Sequence, residues 1–529
     1  MKRLANLLPC LGLAALAGAA AAAPSTAWRT NECARARFHA DRIAALERSY
    51  RGAPGFDAFL EQEQADLAEA LENLVGDVPP ARPPGARIEA YFAGNDGSAQ
   101  PFWSYVPHSA PPPEEAGSGM PLLVYLHGYV PYYDLVNVPA IPSPMTSIAE
   151  RASACIAVPF GRSNTDFQGV GEQDVLRVID EMVERYPVDR GRVVLAGYSM
   201  GGMGAWSIGG RFAERFNALF VMSGRSDYYL WNETTPGETA PWLRPIVDTQ
   251  FGSAWLPRLL DTPVLAVHGA LDPLVPLRQG RYPVDLLRKS GGDKVEWIVF
   301  PDEAHGIAAT ALEDPRILDF LETNLREHNP RRPAPLGRVP GFTGSRLQDA
   351  FLGPFRMISP SRALLERRAA EWRRFAKGEP PRLVERGGED ALPPHALRGC
   401  NLFVFGEPET SPLARRILEA GGVTVEDDAF VFEGRRLPRT GNGLWFTGRN
   451  PGEPARTAVV QCGVDWGAGL PENHLYDRLP DVMAYSKECD GEGANVVVAA
   501  GAFDAVGAFR WLDAPAAPEP VIPPSGEGP

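Results

Sequence analysis

The chain has 529 residues, 44% of them apolar, with 52 Lys and Arg against 66 Asp and Glu for a net charge of −14. That length predicts two or three domains with sizeable cores, and the acidic balance speaks against nucleic acid or anionic lipid as a partner. No apolar run of spanning length follows the N-terminus, so no membrane span is expected.

Lys2 and Arg3, the apolar stretch Leu4–Ala20 and the small residues Ala19–Ala23 have the layout of a signal peptide, residues 1–22. Export would place the protein in a periplasmic or extracellular, disulfide-permissive compartment. Cys33, Cys155, Cys400, Cys462 and Cys489 would remain, an odd number, and nearness in sequence makes Cys462–Cys489 the expected bridge. Residues 23–84 read as a helical N-terminal segment, with Ile43, Leu46, Leu60, Leu67, Leu71 and Leu74 forming apolar stripes. Prolines 79, 80, 83 and 84 end it. Ile88, Ala90 and Phe92, the turn Asn95-Asp96-Gly97, then Phe102, Ser104 and Val106 predict a hairpin. A Pro-rich loop follows, Pro111–Gly119.

Strand, loop and helix then alternate to about residue 328, with strand-like runs Leu122–Leu126, Ala154–Val158, Val193–Ala196, Ala218–Met222, Val264–Val267 and Val295–Phe300. Asp174–Tyr186 is the clearest helix between them. This predicts a doubly wound, mostly parallel α/β sheet over residues 85–329. A Pro/Arg/Gly linker, 330–341, leads to a second, smaller α/β domain, 342–513, and a Pro-rich tail, 514–529. In the second domain, Phe355–Ile358, Leu402–Phe405, Ala429–Phe432, Thr457–Gln461, Val482–Tyr485 and Val496–Ala500 are strand-like. Helices are expected at 361–376 and 411–420.

The chemistry concentrates in the first of these domains. Gly197-Tyr198-Ser199-Met200-Gly201, directly after an apolar strand, is a nucleophile elbow that would hold the Ser199 hydroxyl out at the top of the sheet. A serine hydroxyl is barely ionised at neutral pH and needs a base near pKa 7; His305, just past the last strand, is that candidate. Asp272, past the strand before it, is the candidate carboxylate that orients the imidazole, with Asp227, after the strand 218–222, as the alternative. His127-Gly128-Tyr129 follows the first strong strand, so the backbone N–H groups of Tyr129 and Met200 are assigned to an oxyanion hole, with His127 structural. Aromatic residues of the insert after Gly224, chiefly Tyr228, Trp231 and Trp242, are expected to wall a substrate pocket, as are Tyr229 and Trp255. No HExxH, CxxC or nucleotide-binding glycine spacing occurs, so no metal and no cofactor are expected.

Leu126-His127-Gly128, Pro159-Phe160-Gly161-Arg162, Asp189 through Arg192, Gly197–Gly202 and His268-Gly269-x-x-Asp272 resemble the catalytic domain of the prolyl oligopeptidase family, over about residues 85–328. They also resemble exported esterases of the feruloyl-esterase and polyhydroxybutyrate-depolymerase type. The whole chain looks like bacterial exported prolyl-oligopeptidase-like serine peptidases, whose second domain carries a stretch like Asn401–Gly406. The resemblance implies an α/β-hydrolase fold and hydrolysis of an ester or amide through an acyl-enzyme. The substrate would be a small-molecule or polymer-linked ester, or a peptide. Fewer than about a hundred residues precede the first hydrolase strand, too few for a β-propeller of four or more blades, so an esterase is favoured over an oligopeptidase. A hydrolase-fold binding protein without activity is the rival reading. The second domain carries no constellation of its own and is read as a binding or packing module.

Overall fold

The computed structural model describes residues 27–110, 119–328, 345–385, 392–491, 493–504 and 506–512. The expected signal peptide, the linker 330–341, residues 111–118 of the Pro-rich loop and the tail 514–529 lie outside the described residues. Among the described residues no helix is long and apolar enough to cross a membrane.

The N-terminal segment forms two helices, Ala27–Ser49 and Phe56–Val75, broken at Gly52 and Gly55. The leucine stripes were expected to pack them together. Only Leu46 of those residues is buried; Ala34 and Phe38 pack on Ala90 and Ala99 of the following hairpin, and Glu32, Arg35, His39, Arg42 and Glu63 are buried beside them. Buried charges persist only when paired, and these are. Arg42 Nη1 lies 2.7 Å from Glu63 Oε1, and His39 Nδ1 lies 2.8 Å from Glu63 Oε2. Glu89 on the adjoining strand is clasped by Arg82 and by Arg185, the latter at 2.6 Å. Burial alone would raise the Glu89 carboxyl, but the two guanidinium groups outweigh it and hold it low.

The first sheet has eight strands: β1 (Gly85–Phe92), β2 (Ala99–Val106), β3 (Met120–Leu126), β4 (Cys155–Pro159), β5 (Val188–Tyr198), β6 (Ala218–Met222), β7 (Val264–Gly269) and β8 (Val295–Phe300). Their order is β1-β2-β4-β3-β5-β6-β7-β8. β1 and β2 form the expected hairpin, β2 lies antiparallel to β4, and every pairing from β4 to β8 is parallel. Alternation along β3 explains the two layers of helix. Leu122, Val124 and Leu126 face a core with residues of the helices Val170–Arg185 and Met200–Arg211. Leu123 and Tyr125 face the other core, against the helices Ser143–Ala152 and Pro315–Arg326. Each such leucine contributes about 1.5–3 kcal/mol, and the doubly covered sheet leaves its functional groups to the loops beyond the strands' C-terminal ends.

The second sheet contains β9 (Phe355–Ser359), β10 (Arg382–Val384), β11 (Asn401–Phe405), β15 (Asn442–Arg449), β16 (Thr457–Gly463), β17 (Val482–Cys489), β18 (Asn495–Phe503) and β19 (Phe509–Trp511). A small ribbon between them is made of β12 (Thr424–Val425), β13 (Ala429–Phe432) and β14 (Arg435–Pro438). The sheet order is β10-β9-β11-β16-β15-β17-β18-β19, parallel up to β16 and antiparallel beyond it. β15 is absent from the strand-like runs of the sequence, because Asn442, Gly443 and Gly448 dilute its apolar Leu444-Trp445-Phe446; it is an interior strand. The same topology overturns the Cys462–Cys489 bridge: both thiols are free. β15 lies between β16 and β17, and Cys462 stands level with Ala484, so Cys489 is two strand spacings away, roughly 9–10 Å, and five residues further along the strand besides, beyond disulfide reach.

The two sheet domains share a buried joint. Arg162, on the loop after β4, lies 2.9 Å from Asp96 of the hairpin turn and donates to the Ala376 carbonyl at 3.0 Å. Trp372 Nε1 donates to the same Asp96 oxygen at 2.9 Å, and Phe355 N donates to Asn95 O at 2.9 Å. Burial pushes the Asp96 carboxyl up, but Arg162 and three hydrogen bonds hold it below the usual carboxylate range. Phe351, Phe355, Trp372 and Phe403 pack beside this joint in a cluster that takes in Val170 of the first domain. Removing one partner of a buried pair strands the other charge, at about 3–5 kcal/mol. Arg162→Met should therefore lower the thermal midpoint clearly, and Asp96→Asn added to it should restore part of the loss. An Arg162→Met protein as stable as the parent would show that this pair does not hold the domains together.

Candidate active site

Ser199 occupies the turn between β5 and the helix Met200–Arg211, at φ 56° and ψ −114°. A side-chain-bearing residue in that region costs about 1–3 kcal/mol and persists only when its surroundings dictate it. They do so through close backbone approach. A Cβ on Gly197 would lie 2.0 Å from the Gly201 carbonyl oxygen, and one on Gly201 would lie 2.0 Å from that of Leu126. The whole helix Met200–Arg211 is buried, and the Ser199 N–H donates to Met222 O at 2.8 Å.

The three residues read as a triad come together from three loops. Ser199 Oγ lies 2.8 Å from His305 Nε2, and His305 Nδ1 lies 2.7 Å from Asp272 Oδ2. The other Asp272 oxygen accepts from Leu274 N at 2.9 Å and Val275 N at 2.8 Å. Burial would raise this carboxyl; the imidazole and the two amides overcome that and lower it, so it stays ionised. Asp227, the alternative acid, is engaged elsewhere: it caps the short helix Tyr228–Trp231, accepting from Leu230 N at 2.9 Å.

Two neighbouring aromatic rings complete the setting, and neither was singled out from the sequence. Tyr198 donates from its hydroxyl to the His305 carbonyl at 2.8 Å, and its ring lies 5.3 Å from the imidazole. His268 stands 3.4 Å from Asp272 Oδ2, but its Nε2–H is placed to donate to Val275 O at 2.8 Å, and burial keeps the ring neutral. The x position of the elbow motif and the strand-end histidine both carried a signal, since each borders a triad residue.

Gly128 stands against the nucleophile: a Cβ there would lie 3.6 Å from Ser199 Cβ and 3.1 Å from the Tyr198 ring. Gly128 thus borders the nucleophile and Tyr129 follows it in the chain, while the Met200 N–H opens its helix and has no intrahelical acceptor. Among the described residues neither N–H makes a backbone hydrogen bond. The loop carrying Tyr129 is held from two sides. The buried Asn164 accepts from Val130 N at 3.1 Å and donates to Val130 O at 2.8 Å. Arg42, fixed by Glu63, donates to Val136 O at 3.1 and 2.6 Å. His127 is buried, with its ring nitrogens 2.9 Å from Gly128 O and 3.1 Å from Phe160 O, a structural position.

The insert aromatics divide. Tyr228 packs on Met203 with Val247 and Phe251. Trp231 lies under the Arg225 guanidinium, which pairs with Asp166 at 2.6 Å. Trp242 lines a cavity together with Tyr228. Trp255 covers Gly210 and Arg211, at the far end of the helix from Ser199. Among the described residues, His39, Glu63 and Asp66 are grouped closely enough to share an ion, but Arg42 already neutralises Glu63.

Comparison with known proteins finds similarity in this region. Residues 162–328 match the prolyl oligopeptidase family. The chain is 29% identical over 154 residues to dipeptidyl-peptidase 5 of Porphyromonas endodontalis, covering 27% of this chain and 22% of that protein. It is 31% identical over 118 residues to a bifunctional acetylxylan esterase/xylanase of Neocallimastix patriciarum, covering 21% of this chain and 17% of that one. It thus spans about a fifth of the length of these relatives. Similar solved structures include a thermostable esterase (22% identity, TM-score 0.34, 45% of this chain and 62% of that one). An acylaminoacyl peptidase of Pyrococcus horikoshii is another (20% identity, TM-score 0.36, 46% and 42%). Residues 162–328, which hold Ser199, Asp272 and His305, are therefore the part of the chain that is similar to the prolyl oligopeptidase family.

Proposed function

We propose that this protein is an exported serine hydrolase that cleaves an ester or amide through an acyl-enzyme. The observation that carries the reading is the continuous chain Ser199 Oγ to His305 Nε2 at 2.8 Å and His305 Nδ1 to Asp272 at 2.7 Å. In the first half-reaction Ser199 Oγ attacks the carbonyl carbon and its proton passes to His305 Nε2. The carbonyl oxygen becomes an oxyanion, stabilised by the Tyr129 and Met200 N–H groups, while Asp272 stabilises the imidazolium. His305 then gives its proton to the leaving alcohol or amine, which departs and leaves the acyl group on Ser199. In the second half-reaction His305 takes a proton from water, the hydroxide attacks the acyl carbon, and the acid leaves as Ser199 is reprotonated.

The two relatives are named for a peptide substrate and for an acetyl ester, and both cleavages fit this sequence of steps. Ester cleavage is favoured by the apolar rim. Tyr129 follows Gly128, Leu271 and Leu274 flank Asp272, and all three are large side chains more than half exposed, which suits an apolar acyl or alkyl group. Action outside the cytoplasm is supported by the charged, then apolar, then small-residue order of residues 1–22.

Ser199→Ala should abolish turnover of p-nitrophenyl acetate while leaving the thermal midpoint near that of the parent; retained turnover would remove Ser199 from the mechanism. Asp272→Asn should lower kcat about 10³- to 10⁴-fold, since the imidazole loses its orienting charge, while Asp227→Asn costs a few-fold at most. The reverse ranking, read from steady-state kinetics, would move the acid to the loop after β6. Asn164→Leu should lower kcat about 10- to 100-fold with little change in KM, somewhat less than the loss of an oxyanion donor itself. An unchanged kcat would separate the Val130 contact from the oxyanion hole.

A further inference from the structure

A cavity of about 310 Å³ lies where the insert after β6 meets the second domain. Tyr228, Trp242, Trp466, Leu470, His474 and Arg478 line it, the first two from the hydrolase domain and the rest from the second. Its volume is at the small end of the range for ligand pockets, and a domain junction is a preferred place for one.

The walls are fixed before any ligand arrives. Trp466 donates from its indole to Leu475 O at 3.0 Å and meets Tyr485 edge-on at 5.1 Å. His474 Nδ1 lies 2.6 Å from Asp477, whose carbonyl accepts from Gln250 of the insert at 2.6 Å. Arg478 sits 5.8 Å from the Tyr228 ring. Tyr228 belongs to the hydrolase-domain side of the cavity. It packs against Met203, whose N–H donates to Ser199 O at 3.1 Å. Met203 is wholly buried, and none of Ser199, Asp272 and His305 lines the cavity.

We infer that this cavity is a ligand site, formed jointly by the two domains, that receives a ring with a stackable apolar face, either an aromatic group or a pyranose. The binding is independent of the serine-hydrolase reading and does not require turnover. Three aromatic side chains from two domains offer ring faces and edges, and polar groups at the rim can meet ring substituents.

The test uses the full-length Ser199→Ala protein, so that binding is measured without hydrolysis. Isothermal titration is run with two probes, methyl 4-hydroxybenzoate and xylotetraose. Binding of at least one, weakened about tenfold or more by both Trp242→Ala and Leu470→Trp, is the expected result; which probe binds separates the aromatic source from the sugar. The two substitutions act from opposite walls, one emptying and one filling the space. Both positions are half-buried, and thermal midpoints check that each variant folds. Binding of neither probe up to about 20 mM, or binding that survives either substitution, would overturn the inference. Fluorophosphonate labelling of the unsubstituted protein, measured alongside, reports separately on whether Ser199 is a nucleophile.

Discussion

The backbone at Ser199 is the constraint on which the site depends. A serine held at φ 56° is strained, and the strain is maintained because β5, the following helix and β3 approach more closely than any Cβ would allow at Gly197 or Gly201. The same closeness explains why the helix Met200–Arg211 is rich in glycine and wholly buried. Helix propensity would disfavour such a composition, but packing on all sides outweighs it. The hydroxyl that results is directed at His305, and every other feature of the site is arranged around that direction.

The loops around Ser199 are anchored by groups distant in sequence. Asn164 ties down Val130, and Arg42, held by Glu63, ties down Val136. The helical N-terminal segment thereby reaches the loop that carries Tyr129, though it contributes no reacting group. The joint of Arg162, Asp96 and Trp372 links the loop after β4 to the second domain in the same way. These are buried, hydrogen-bonded contacts between segments distant in sequence, with only Arg162 Nε among their guanidinium and carboxylate groups left without a partner, and such networks specify one arrangement of loops rather than many.

Much of this was legible in the sequence, for local reasons. The elbow, the strand-end positions of Asp272 and His305 and the parallel sheet all follow from short apolar runs and glycine spacing. The structure brings Ser199, His305 and Asp272 within hydrogen-bond distance. What sequence could not show depends on contacts between distant segments. The N-terminal helices bury charge where leucine stripes were expected, since Glu63 and Glu89 find their arginines only after folding. β15 is hidden by its glycines and becomes a strand through its two neighbours. The Cys462–Cys489 expectation failed because closeness in sequence ignores the strand that intervenes. The Tyr198 hydroxyl was passed over because the elbow motif treats its position as variable.

The central claim is that Ser199 becomes covalently acylated. Intact-mass measurement after reaction with a fluorophosphonate, followed by peptide mapping, tests it most directly. The account predicts one adduct per chain, on the peptide that contains Ser199. A folded protein that takes up no adduct, or one labelled at another serine such as Ser163 or Ser223, would contradict it.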